Sequence, residues 1–207
     1  KHNGHPRVEE VMMGADSAAR LASTFAPVAN AVMKNKTARK VIESVAGISA
    51  DRKLPEFRRD TFVKQFARHK SSVRNASRKV AFFVDVFANY NAPVLGMAAV
   101  RALEAAGCEI VVPEQKSSGY PYIAYGDLDR ARETAAYNVA RFAPYAEQGF
   151  DIVATEPTAA YALKVSYPKL LKKSTKSCAV AVRTFELFEY LLHVKTKDQI
   201  SKEKSLS

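Results

Sequence analysis

The sequence predicts an α/β fold, a small parallel sheet with helices on both faces, preceded by a basic helical segment. Three observations carry this. Apolar runs of strand length occupy residues 80–84, 109–112 and 150–154, and stretches of helical composition separate them. Near-continuous apolar strands alternating with helices imply parallel pairing, burial on both faces and right-handed crossovers, with the first strand in the middle of the sheet. Finally, the charge is uneven: of the net +11, residues 1–79 hold +10 and the remainder +1.

The elements follow in order. From residue 16 to 45, Ala19, Ala22, Phe25, Val28 or Ala29, Val32, Met33, Val41, Ile42 and Val45 recur at three- and four-residue spacing, which predicts one or two amphipathic helices. Asp16 is placed to cap them, Pro27 to break the run and Gly47 to stop it. A stretch mixing Arg and Lys with Phe57, Phe62 and Phe66 then leads into a Ser-rich segment, so residues 1–78 read as a basic, mainly helical linker or docking region. Residues 79–195 read as a single α/β domain and 196–207 as a flexible tail. Within the domain, Gly107 ends the first crossover helix and Asp127 caps the second, which runs to about residue 145. Gly149 precedes the third strand, a short helix covers 158–165, and a last helix at about 179–193 carries Val180, Val182, Phe185, Leu187, Phe188, Leu191 and Leu192 to cover the sheet.

A chain of 207 residues with 47% apolar content can bury a sizeable core. It holds no run of about 18 uncharged apolar residues, and its first residues lack the apolar centre of a signal peptide. Cys108 and Cys178 stand far apart without His or Asp partners nearby, which excludes a disulfide framework and fits a reducing, cytoplasmic setting. The basic segment, residues 16–79, suits an anionic membrane surface at the inner face or an acidic partner. A solvated connector is the plainer alternative. Nucleic-acid binding lacks support, since there is no zinc-finger spacing, RNA-recognition aromatic motif or clear helix-turn-helix.

In a parallel sheet, the loops leaving the C-terminal strand ends converge where ligands bind. Here they are residues 85–91, 113–124 and 155–159, and they hold neither a phosphate loop, a dinucleotide fingerprint nor a nucleophile elbow. Ser117 or Ser118 as a nucleophile needs a base, yet His2, His5, His69 and His193 all fall outside these loops. Asp85, Glu114 and Glu156 are explained by solvation or capping without a metal. The candidate pocket comprises Asp85, Asn89, Tyr90, Asn91, Ser117, Ser118, Gly119, Tyr120 and Glu156.

Three stretches in order, "FFVDVFANYNAPVLGMAAVRALEAAGCEIVVPEQKSSGYP", "YGDLDRARETAAYNVARFAPYAEQGFDIV" and "EPTAAYALKVSYPKLL", together with the preceding "LASTFAPVANAVMKNKTARKVIESVAGI", resemble one copy of the Cys-Cys-Gly domain. That domain belongs to iron-sulfur oxidoreductases that include the C subunit of anaerobic glycerol-3-phosphate dehydrogenase and proteins of heterodisulfide-reductase type. The resemblance implies a Rossmann-like domain and five cluster-binding cysteines, because iron-sulfur clusters need thiolates. Those positions fall on Val86, Ser117, Ser118, Glu156 and Ala159; only the glycine, Gly119, is kept.

The resemblance therefore implies a component, or a fragment, of an electron-transfer dehydrogenase. It would bind no cofactor itself, and it would dock beside other subunits or domains carrying iron-sulfur clusters and FAD. The family's ferredoxin-like region and second copy are absent from this sequence, and the start at Lys1 favours a fragment. Two alternatives stay open: a domain binding a small organic acid in the vacated pocket, and a basic adaptor for membrane or nucleic acid.

Overall fold

Six consecutive residues, Arg78–Phe83, build the central strand β1, and the side chains of its last four alternate between two separate cores. The computed structural model describes residues 7–205. β1 pairs on one side with β2 (Cys108–Val111) and on the other with β3 (Asp151–Ala154), which in turn pairs with β4 (Thr184–Glu186). All three pairings are parallel, so the order β2-β1-β3-β4 sets β1 inside the sheet, as expected.

Ala81 and Phe83 of β1 face one core, with Ile152, Ala154 and Phe142; Val80, Phe82 and Val84 face the other, with Val100, Leu103 and Tyr190. A short helix, α7 (Tyr120–Ala124), leads to α8 (Leu128–Glu147), and the first core lies under α8 and the shorter helices α9 (Pro157–Tyr161), α10 (Tyr167–Leu170) and α11 (Thr175–Val182). The second lies under α6 (Pro93–Ala105) and α12 (Leu187–Ser205). Asp127 caps α8 by accepting from the Arg130 amide at 3.1 Å, as the sequence predicts.

The final helix differs from expectation. The run expected as one helix at 179–193 is divided by β4, which pairs Ile152 with Thr184 and Ala154 with Glu186. Three residues are too few for a period-two pattern to show, and the pairing comes from β3 rather than from local sequence. α12 then continues to Ser205, through much of the stretch expected as a tail, with Val194 buried and Asp198 paired to Arg78. The short helix expected at 158–165 is α9 followed by a π-helical turn, Ala162–Ser166. A second such turn, Phe87–Asn91, precedes α6.

Upstream lie α1 (Arg7–Met13), α2 (Ala15–Thr24), α3 (Ala26–Lys34), α4 (Lys36–Ala46) and α5 (Phe62–Arg68); α2, α3 and α4 divide the stretch 16–45, where one or two helices are expected, into three. Pro27 sits in the first turn of α3, the position where its missing amide costs nothing. Asn35 caps α4 through the Ala38 amide, and Gly47 ends it. α5 belongs with the sheet layer: Phe62 is fully buried against Phe82, ring centroids 5.6 Å apart. It presses on α6 so closely that a Cβ at Gly96 would meet Phe62 Cδ2 at 2.5 Å. Among the described residues no helix is long and apolar enough to cross a membrane.

Candidate functional site

The three loops leaving β1, β2 and β3 are tied to one another by side chains rather than by chance proximity. Asp85, 6% exposed, accepts through Oδ1 from the Val86 amide at 2.9 Å and from the Ser118 amide at 3.2 Å, joining the first loop to the second. Glu156 accepts from the Ala88 amide at 3.2 Å, joining the third to the first. Gln115 accepts from the Val84 amide and donates to the Phe82 and Pro113 carbonyls, fastening its loop to the end of β1.

The serine pair is held from behind. Asn138 of α8, 1% exposed, accepts from the Lys116 amide at 2.9 Å and donates to the Ser117 carbonyl at 3.1 Å and to the Tyr167 hydroxyl at 2.9 Å. The Tyr167 hydroxyl donates to the Ser118 carbonyl at 2.9 Å. Every polar atom of this buried bracket is matched, which such groups require inside a protein. Gly119 follows at φ 61°, and a Cβ there would lie 2.9 Å from Thr134 Cγ2, so both the left-handed backbone and the contact with α8 favour glycine.

Together the loops line a cavity of about 300 Å³. Of the residues that the sequence predicts, Asp85, Val86, Asn91, Ser117, Ser118, Gly119, Tyr120 and Glu156 line it. Asn89, Tyr90 and Ala159 do not: Asn89 accepts from the Val63 amide at the start of α5, and Ala159 is fully buried within α9. Sequence reasoning missed the contribution of the N-terminal helices. Met12, Met13 and Asp16 close one side of the cavity. Asp16 is not the cap expected of it; it stands in the first turn of α2 and lines the cavity with Ser117, whose amide and hydroxyl favour its charged form. An acidic residue at a helix start reads as a dipole or cap partner in any sequence, so only the fold reveals this role.

Three carboxylates thus share the cavity, and their electrostatics are mutual. Burial pushes the Glu156 carboxyl up to about 7; the like charge of Asp85 adds to the rise and the Ala88 hydrogen bond opposes it. Burial likewise raises Asp16, with Asp85 adding and the Ser117 bonds opposing. Burial, and then the charge of Asp16, raises the Tyr90 phenol.

The donor set does not fit an iron-sulfur cluster. Of the five positions that the Cys-Cys-Gly pattern assigns to thiolates, four line this cavity, and they offer an isopropyl group, two hydroxyls and a carboxylate. Cys108 opens β2, at the strand end opposite the cavity-lining loops, fully buried, with a thiol that burial raises. Cys178 lies in α11. Among the described residues no group of three His, Cys, Asp or Glu is arranged to hold a metal ion.

Beside the carboxylate cavity, on the side of the second core, runs an apolar groove of about 380 Å³ between α6 and the start of α12. Phe87, Leu95, Leu187, Phe188 and Leu191 line it, and Phe188 is 73% exposed.

The molecule is, by fold and site, a parallel α/β domain whose strand-end loops frame a carboxylate-rich cavity without thiolates. By sequence it is similar to the C subunit of anaerobic glycerol-3-phosphate dehydrogenase from each of two strains of Escherichia coli, 30% identical over 168 residues. The match covers 80% of this chain and 42% of each relative, so the chain spans less than half the length of the curated proteins it matches. This similarity relates the chain to those proteins over most of its length. No family model matches it, and no solved structure gives a significant match.

Proposed function

We propose that the chain is a component of an electron-transfer dehydrogenase, with a structural or docking role beside subunits or domains that carry iron-sulfur clusters and flavin. The observation that carries this reading is the pairing of a sequence related to part of a dehydrogenase with a cavity in which four of the five expected ligand positions meet and none offers sulfur. The frame of a cofactor site is kept, while the donors that define its chemistry are replaced. The apolar groove between α6 and α12 supports docking, since an exposed Phe188 beside Leu95 and Leu191 is the composition of an interface core. Leu21 of α2, Phe25 at the junction and Val28 and Val32 of α3, all exposed, support peripheral contact with an anionic membrane.

The alternative of an organic-acid site is weakened by Asp16, Asp85 and Glu156, because three carboxylates repel a further carboxylate more than two hydroxyls attract it.

Co-expression with cluster-bearing and flavin-bearing subunits of a dehydrogenase tests the reading. The chain is expected to co-purify with them, and Phe188→Asp to release it without loss of fold. The isolated chain, offered iron and sulfide under reducing conditions, is expected to stay colourless. Purification without any partner, or stoichiometric iron in the isolated chain, overturns the proposal.

A further inference from the structure

A second cavity, remote in sequence from the sheet loops, has the opposite electrostatics. It is larger, about 690 Å³, and lies between the end of α3, the start of α4 and the strap of residues 50–56. Asn30 fixes the strap to α3, accepting from the Phe57 amide and donating to the Phe57 carbonyl, each at 2.9 Å. Six cationic side chains line it, Lys34, Lys36, Arg39, Lys40, Arg52 and Lys53, against two carboxylates, Asp51 and Glu56. Glu56 is already engaged by Lys34 at 2.7 Å, so the remaining cations face the cavity with one carboxylate between them.

The decisive residue is Arg39. It is only 5% exposed, and burying a guanidinium without a counter-charge is strongly unfavourable. Its Nη2 donates to the Ser49 carbonyl at 2.5 Å and the Arg52 carbonyl at 3.0 Å. Its Nη1 is buried with no hydrogen-bond partner, and among the described residues no carboxylate pairs with the group. Arg39 lines the cationic cavity, and its guanidinium keeps one donor nitrogen unpartnered, an imbalance that an anionic oxygen bound there would relieve. The start of α4, an eleven-residue helix whose first residue, Lys36, lines the same cavity, brings the positive end of a helix dipole to it.

We propose that this cavity binds a phosphate group, carried by a small ligand or by a lipid headgroup, with Arg39 as the buried donor and Lys36, Lys40 and Lys53 at the mouth. Phosphate matches the geometry because its oxygens accept several hydrogen bonds in different directions, from a guanidinium and ammonium groups together.

Two probes applied to the full chain separate the sources. Calorimetric titration with inorganic pyrophosphate, at constant ionic strength, tests the free ligand. Sedimentation with phosphatidylcholine vesicles, with and without phosphatidic acid, tests the headgroup. Binding to either probe is expected, at least tenfold weaker in the double variant Lys36→Gln, Lys53→Gln, whose exposed positions leave the fold intact. Arg39→Gln, checked for folding by circular dichroism, is expected to lose as much. Lys70→Gln with Arg74→Gln, equally exposed but outside the cavity, is expected to bind as the wild type. Failure of both probes to bind overturns the proposal, as does equal weakening by the outside pair, or a folded Arg39→Gln protein that binds unchanged.

Discussion

The sheet domain and the helices of residues 7–46 are written in the same apolar periodicity and come out differently. In the domain, the periodic residues are the core: Phe82, Phe83, Phe142, Leu103 and Ile152 are fully buried on the two faces of the sheet. In the N-terminal helices the buried residues are Met13, Ala19, Ser23, Ala26 and Arg39, mostly small or polar, while Leu21, Phe25, Val28, Val41 and Val45 are each more than half exposed. Period reports that a helix forms and which residues share a face; it does not report which face is covered. One unit closes around its own hydrophobic content. The other is held to it through a few contacts, such as Asp16 on Ser117 and Glu10 on Arg130, and leaves its apolar stripe uncovered.

The largest effect that tests this contrast is Phe142→Ala. Phe142 packs against Phe83 in the closed core, ring centroids 5.5 Å apart and planes tilted by 48°, and the substitution is expected to cost about 3–5 kcal/mol in denaturant unfolding. A cost below about 1 kcal/mol would mean that the domain does not depend on this core.

An intermediate effect belongs to Glu156, where the two units meet. Its carboxyl titrates near 7 in the folded chain against about 4.5 unfolded, so between these values the folded state holds more protons and stability falls as pH rises. The loss is complete above pH 7, on the order of 2 kcal/mol for a half-buried group. Glu156→Gln, which keeps the acceptor for the Ala88 amide, is expected to flatten the unfolding free energy between pH 4.5 and 7 relative to wild type and to be the more stable protein at pH 8. An unchanged slope would show that the carboxylate is solvated.

The smallest effect is expected from Phe25→Ser, at 59% exposure, within about 0.5 kcal/mol by thermal unfolding. A loss above about 2 kcal/mol would erase the contrast, since it would reveal a second core in the helical segment.

Much of the domain was legible in the sequence because β1 and β3 bury apolar residues on both faces and β2 keeps a short apolar run at the edge, each strand starting within two residues of its expected start. β4 was not legible. Thr184, Phe185 and Glu186 extend a helical-looking run, and they become a strand through pairing with β3. At the site, topology points to the loops that carry Asp85, Asn91, Ser117 and Glu156, but not to which loop side chains turn into the cavity, since Asn89 and Tyr90 do not line it. Nor does it point to Asp16 or Arg39, because a charged residue on an amphipathic helix is assigned to solvent by any local rule, and both are drawn inward by partners distant in sequence.

The two π-helical turns, Phe87–Asn91 and Ala162–Ser166, have a consequence for how this chain tolerates changes of length. The first lies within the loop after β1 and supplies Phe87 and Asn91 to the carboxylate cavity; the second continues α9, whose preceding loop supplies Glu156. A π turn differs from an α turn by one residue of length, and a helix advances about 100° per residue, so removing that residue would rotate everything downstream by more than a quarter turn about the helix axis. A single-residue gain or loss in either turn would therefore re-aim the helix that follows, a change that substitution at fixed length cannot imitate.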